Sequence, residues 1–206
     1  MKQTFKVLKI STYLLCGAFL LNSCNSGDTS KNAATDSAAT ATAPAATVDT
    51  TSAAPQKLTD PEIASIAVTA DQIDIDYAAI AKEKSKNADV LKFAATMAKD
   101  HKSVNDQAVA LATKLGVTPQ DNPVTQSLLS GATTTKADLN SKTGADFDKA
   151  YIDNEVAYHK AAIDLVENKL IVDATNPELK SLLQTALPIF KQHLAHAEMV
   201  QNQFTK

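Results

Sequence analysis

The stretch from Val90 to Leu115 reads VLKFAATMAKDHKSVNDQAVALATKL. Its apolar residues Val90, Ala94, Met97, Val104, Ala108, Leu111 and Leu115 follow the three-and-four spacing of a helix that buries one stripe. The seat between Met97 and Val104 belongs to His101, and Asp100 stands on the neighbouring face. A histidine inside an apolar seam needs a polar partner, so this position is the first candidate for function.

Three further segments share this pattern. Thr59-Asp60-Pro61-Glu62 is a helix start, with a capping residue, a proline in the first turn and a carboxylate close behind. An apolar face from Ile63 to Ala81 follows, interrupted by Asp74, and it runs out at Ser85-Lys86-Asn87. Gly116 and Pro119 end the central helix. Asn122-Pro123 opens a weaker segment, where Gly131, Thr133, Thr134 and Thr135 predict a short or irregular helix crossing over the rest. A third long helix spans about 145–171, with Phe147, Tyr151, Ile152, Val156 and Val166 on a wide apolar arc. Asn176-Pro177-Glu178 caps the last helix, whose core series Leu179, Leu183, Ala186, Phe190, Ala197 and Val200 has His193 in one seat. Pro188 inside it removes the partner of the Gln184 carbonyl and predicts a bend. Tight connections after the first and third long helices predict an all-α, antiparallel up-down four-helix bundle with both turns at one end and a short extra helix between helices two and three.

The composition agrees with an all-helical chain. Tryptophan is absent and there are only five glycines in 206 residues, whereas a sheet protein would need more turn glycines, aromatics and β-branched runs. A net charge of -3 gives no basic footprint for nucleic acid. Both cysteines, Cys16 and Cys24, lie near the start, so no disulfide can staple the folded part. Lys2, Lys6 and Lys9 precede an apolar run from Ile10 to Leu21, too short to be an ordinary spanning helix. It ends in Leu21-Asn22-Ser23-Cys24, which resembles the lipobox of bacterial lipoprotein signal peptides, with Asn22 a less usual occupant. That resemblance implies export, a lipid on Cys24, attachment to a membrane, and a place in the periplasm or outer membrane. The organisation expected is a signal peptide over 1–23, a disordered tether rich in Ala, Thr and Ser over 24–57, and the bundle over 58–206.

Three of the four histidines, His101, His159 and His193, occupy core or near-core seats, and Glu155 precedes His159 by one turn on the same face. At 1.5 Å per residue, Asp74 and His101 lie ~20 Å from the turn at Asn87. From a turn near Thr175, His159 lies ~24 Å away, with Glu155 and His193 at ~27–30 Å. Each helix therefore brings a carboxylate or imidazole within about two turns of one level. Asp74, His101, Glu155, His159 and His193 are the candidate ligands of one transition metal, zinc, copper or iron. The alternatives are a hydrogen-bonded polar layer that fixes helix register, and an arrangement in which some of these groups face solvent. His196 falls off the main seam and reads as surface, while Tyr77, Tyr151 and Tyr158 read as core edges with wet hydroxyls. No phosphate-cradling glycine loop, Cys-x-x-Cys pair or nucleophile elbow is present.

Phe93-Ala94 and Met97 leading to Asp100-His101, Phe147-Asp148 and Ala150-Tyr151 leading to His159, and Leu187-Pro188 leading to His193-Leu194 together resemble the bacterial exported family known as domain of unknown function 4142. The similarity spans about Leu58 to Phe204 and implies a ferritin-like fold without an established activity. It does not bring di-iron chemistry with it. Those bundles carry Glu-x-x-His on two helices, whereas Ala98, Val156 and Phe190 stand three residues before the histidines here. The expectation is a binding or envelope-stress protein rather than a catalyst. A metal-dependent redox or storage protein and a purely structural envelope protein are the alternatives.

Overall fold

A computed structural model describes residues 56–204. The expected signal peptide, Cys24 and nearly all of the tether lie outside these residues. The described chain is helical throughout: α1 Asp60–Lys84, α2 Ala88–Leu115, α3 Pro123–Ser141, α4 Gly144–Leu165 and α5 Pro177–Gln201. Among the described residues there is no strand, and no helix is long and apolar enough to cross a membrane. After α4 the chain continues through a π-helical turn, Val166–Leu170, and a last α-turn, Ile171–Asp173.

The helix starts are set by local chemistry. Thr59 and Glu62 form a reciprocal capping box, and the Asn122 and Asn176 side chains accept from the free N–H groups of α3 and α5. Gly116, at φ 64°, ends α2 in the left-handed conformation that glycine adopts without strain. α5 runs through Pro188 without a break, with the proline on the exposed side.

α1 with α2 and α4 with α5 are antiparallel hairpins, and α2–α5 and α1–α4 contacts close the four-sided bundle. The two tight turns lie at opposite ends, not at one. Leu58 N–H donates to Asp173 at 2.8 Å and Thr175 N–H to Asp60 at 2.8 Å, so the α4–α5 turn sits beside the start of α1. The turn at Asn87 is beside the end of α1. The reversal comes from α3. It runs along the outside of α1 from Ser65, which meets Thr125 at 3.3 Å, to Lys84, which donates to the Leu139 carbonyl at 3.0 Å. α4 therefore starts where α1 ends, with Lys84 over the Phe147 ring at 5.4 Å.

α3 is also longer than its sequence suggests, 19 residues without interruption. Thr133 and Thr134 turn their hydroxyls onto carbonyls one turn back, which spares them a competing role, and Ala132 and Leu139 are buried against α1 and its neighbours. Tertiary burial thus overrides weak propensity.

Two apolar clusters fill the bundle. One, toward the Asn87 turn, contains Ile73, Tyr77, Phe93, Met97, Phe147, Tyr151 and Val200. The other, toward the start of α1, contains Ile63, Ile66, Val104, Leu170, Leu179, Leu183 and Phe190. The α2 seam occupies both as expected, except that its last buried seat is Ala112, with Leu111 and Leu115 half-exposed. Between the clusters lies a layer of imidazoles and carboxylates.

Candidate metal centre

Every helix of the four-sided bundle contributes to this layer at mid-length. α1 supplies Asp71 and Asp74, α2 His101 and Asp100, α4 Glu155 and His159, and α5 His193. Asp74 and Glu155 are 0% exposed, and the three histidines no more than 4%. The rings of His101, His159 and His193 form a triangle with centroids 5.1 to 5.6 Å apart. One ring nitrogen of each lies within 4.8 Å of the other two, and Asp74, Glu155 and His159 form a second set of the same kind. All five sequence candidates are therefore brought together, with His159 common to both sets.

The partners of each ring fix which nitrogen faces the centre. His101 Nδ1 is 2.7 Å from Asp71 Oδ1, which can only accept, so Nε2 points inward. His159 Nδ1 donates to the Glu155 carbonyl at 2.9 Å, again leaving Nε2. His193 Nε2 donates to Asp100 at 3.1 Å, leaving Nδ1. Phe190 stacks on His101 with planes 5° apart, and so braces the ring from the apolar side.

Asp74 Oδ2 is 3.1 Å from His101 Nε2 and 3.5 Å from His159 Nε2. Neither approach has the direction of a hydrogen bond. Three buried ring nitrogens of the layer, His101 Nε2, His159 Nε2 and His193 Nδ1, consequently have no hydrogen-bond partner, and the buried carboxyls of Asp74 and Glu155 have none but each other. Lys99, largely exposed and 4.0 Å from Asp100, is the one lysine among the described ion pairs that meets any of these carboxylates.

Protonation follows the same geometry. Burial raises Asp74 to about 6 against the pull of the His101 charge, and burial together with the Asp74 charge pushes Glu155 well above its usual value. Burial lowers His159 to about 3 and His193 to about 4, with the charge of His101 acting in the same direction. For His101 burial alone would lower the pKa, but Asp74 and Asp71 outweigh it and the net direction is upward. At neutral pH two of the three imidazoles thus present lone pairs without having to lose a proton.

Two parts of this layer are not evident from the sequence alone. Asp71 stands three residues before Asp74 and so shares its helix face, but only the structure brings it to His101. Asp100 lies off the seam as its spacing predicts, and its role as acceptor for His193 depends on helix rotation. Among the tyrosines, Tyr151 is no wet edge: it is 0% exposed and its hydroxyl has no partner. Tyr158 donates to the Ala70 carbonyl at 2.9 Å. His196 is half-buried, edge-on to Phe93 at 5.2 Å, and takes no part in the layer.

Residues 35–200 match the family described as "Domain of unknown function (DUF4142)". The chain belongs to this family. No curated protein matches it. Among solved structures, a DUF305 fragment from Deinococcus radiodurans superposes with a TM-score of 0.59 at 17% identity, covering 72% of this chain and 99% of that one. At that identity the likeness speaks for the fold alone. Membership of the DUF4142 family gives the chain a lineage, but it brings no reaction.

Proposed function

We propose that this DUF4142 protein is an exported, lipid-anchored binding protein that holds one transition-metal ion in the middle of its bundle. The ligands are His101 Nε2, His159 Nε2 and His193 Nδ1, with Asp74 as the carboxylate. The observation that carries the reading is the convergence of three buried ring nitrogens without hydrogen-bond partners, His101 Nε2, His159 Nε2 and His193 Nδ1, beside Asp74. At about 1–3 kcal/mol each, such atoms cost a large part of the net stability of a domain, about 5–15 kcal/mol. His159 and His193 offer lone pairs directly, His101 once its Nε2 proton has left, and a cation would satisfy all three together with Asp74. The outer partners support the same reading, because metal-bound histidines commonly donate their second nitrogen to a carboxylate or carbonyl, as all three do here. Imidazole suits zinc, copper and iron, and the burial of the site favours holding an ion over turning over a substrate.

Export and lipidation at Cys24 rest on the Leu21-Asn22-Ser23-Cys24 sequence alone. They would place the bundle at the cell envelope, where a role in storing or buffering metal under stress is consistent with an enclosed site. A structural reading has its own support, since the Asp71–His101 and Asp100–His193 pairs cross between helices and would fix register without any metal.

The deciding experiment is metal content by mass spectrometry on the whole chain purified without chelators, repeated after competitive loading with zinc, copper and iron. Near-stoichiometric metal that disappears in a His101→Ala, His193→Ala double variant supports the proposal and names the ion. Metal-free protein under every loading condition leaves the register layer as the reading that stands.

A further inference from the structure

An ion that ends in the layer has to cross the wall of the bundle, and two approaches reach that far. One is a small chamber on the side facing the start of α1, with a cavity of about 50 Å³. Apart from Asp71, Asp74, His101 and His159 of the layer itself, its one polar side chain is Tyr158, whose hydroxyl already donates to the Ala70 carbonyl. The remaining walls are apolar. Such a space has room for a few waters at most. Its walls hold nothing that replaces the hydration shell of a cation, and taking a charge out of water costs several kcal/mol even after relaxation.

The other approach lies between α2 and α5. Asp100 is the member of the layer that reaches the surface. Its side chain is 31% exposed, against 5% or less for Asp71, Asp74, His101, Glu155, His159 and His193. Its two oxygens have different neighbours. Oδ2 accepts from His193 Nε2 at 3.1 Å, while Oδ1 is 4.0 Å from the ammonium of Lys99, whose side chain is 86% exposed. His193 turns its other nitrogen, Nδ1, to the centre. A single imidazole ring therefore separates a solvent-accessible carboxylate from the three converging nitrogens.

We infer that the metal ion enters the layer between α2 and α5, taken up first by the Asp100 carboxylate and passed inward beside the His193 ring. This rests on the metal reading above. Asp100 replaces part of the ion's hydration at the surface, so the charge is never left without a ligand on the way in. Its carboxylate also attracts the cation from solution, and charges at the mouth of a site change association rates by about 10- to 1,000-fold. Lys99 stands at the same mouth with the opposite sign and slows the arriving ion. Asp100 thus sets how fast the site fills, besides holding the His193 ring.

Stopped-flow uptake of cobalt(II) by the whole chain tests this, followed by the visible bands of the bound ion, with release to a chelator giving the dissociation rate. Metal content is determined on every sample. Asp100→Asn keeps an acceptor oxygen for His193 but loses the charge. Its association should slow at least about tenfold and lose most of its dependence on ionic strength. Lys99→Gln should associate several-fold faster than the native chain. Ala162→Leu, at a half-buried seat on the chamber wall, should associate at the native rate. If Asp100 only orients His193, Asp100→Asn speeds dissociation and leaves association and its salt dependence native. That result, or slower association in Ala162→Leu, overturns the inference while leaving the metal site intact. A native chain that loads neither cobalt nor zinc, copper or iron overturns both readings and shows directly in the metal content.

Discussion

The carboxylate of Asp71 lies 2.7 Å from His101 Nδ1, one helical turn before Asp74, which lies 3.1 Å from the opposite nitrogen of the same ring. Asp71 thus holds an imidazole of α2 by one nitrogen, while Asp74, on the same face of α1, stands beside the other without the direction of a hydrogen bond. If the layer binds metal, Asp71 orients the ring without touching the ion. Removing such an outer partner typically costs 10–100-fold in affinity. Asp71→Ala should therefore weaken metal binding about 10- to 100-fold in a competition titration, with the helical circular dichroism preserved. Asp71→Asn keeps an acceptor oxygen and should lose less.

In metal-free protein the same layer makes stability depend on pH in two opposing ways. Burial raises Asp74 from 3.8 to about 6, so the stability that its proton provides is complete at low pH and is lost as pH rises to about 6. Asp74→Asn cannot ionise, and relative to the native chain it should gain stability in urea unfolding as pH rises from 3 to 7. His159 has the opposite sign. Its folded value of about 3 lies below the usual 6.5 of a histidine, so the native chain loses stability as pH falls below 6.5, and His159→Gln should gain on it there.

What the sequence made legible divides along physical lines. Caps at Thr59, Asn122 and Asn176 and the seams of α1, α2 and α5 are local or periodic signals, and they sufficed for the helices and the bundle. The crossing path of α3 was not readable, because its stability comes from Ala132 and Leu139 packing on other helices. The sequence reading consequently set both turns at one end. The convergence of Asp74, His101, Glu155, His159 and His193 survived that error because all five sit near mid-helix, where inverting a hairpin changes the level little. Asp71 needed the rotation of α1 relative to α2, which no single-chain periodicity provides.

α3 offers a test of that account. Gly131 sits within the helix, and a Cβ added there would meet nothing within 4 Å. Gly131→Ala should stabilise the protein by about 0.5–1 kcal/mol through helix propensity and loss of freedom in the unfolded chain. The thermal midpoint should rise by about 1–4 °C. Metal content should not change, because α3 contributes nothing to the layer.

The metal reading makes its strongest claim on stability. A ligand that binds only the folded state at a thousand times its dissociation constant adds about 4 kcal/mol. For a domain of this size that is about 8–16 °C in midpoint. Loading should produce such a rise in the native chain, and a chelator should reverse it. The rise should be absent in the His101→Ala, His193→Ala double variant. Acid should abolish it earlier than His159 and His193 alone would require. Those two are already neutral near pH 5, whereas His101, raised by Asp74 and Asp71, must give up its proton before Nε2 can bind an ion. A loaded protein whose midpoint did not move, or a double variant that moved as much, would place the ion outside this layer.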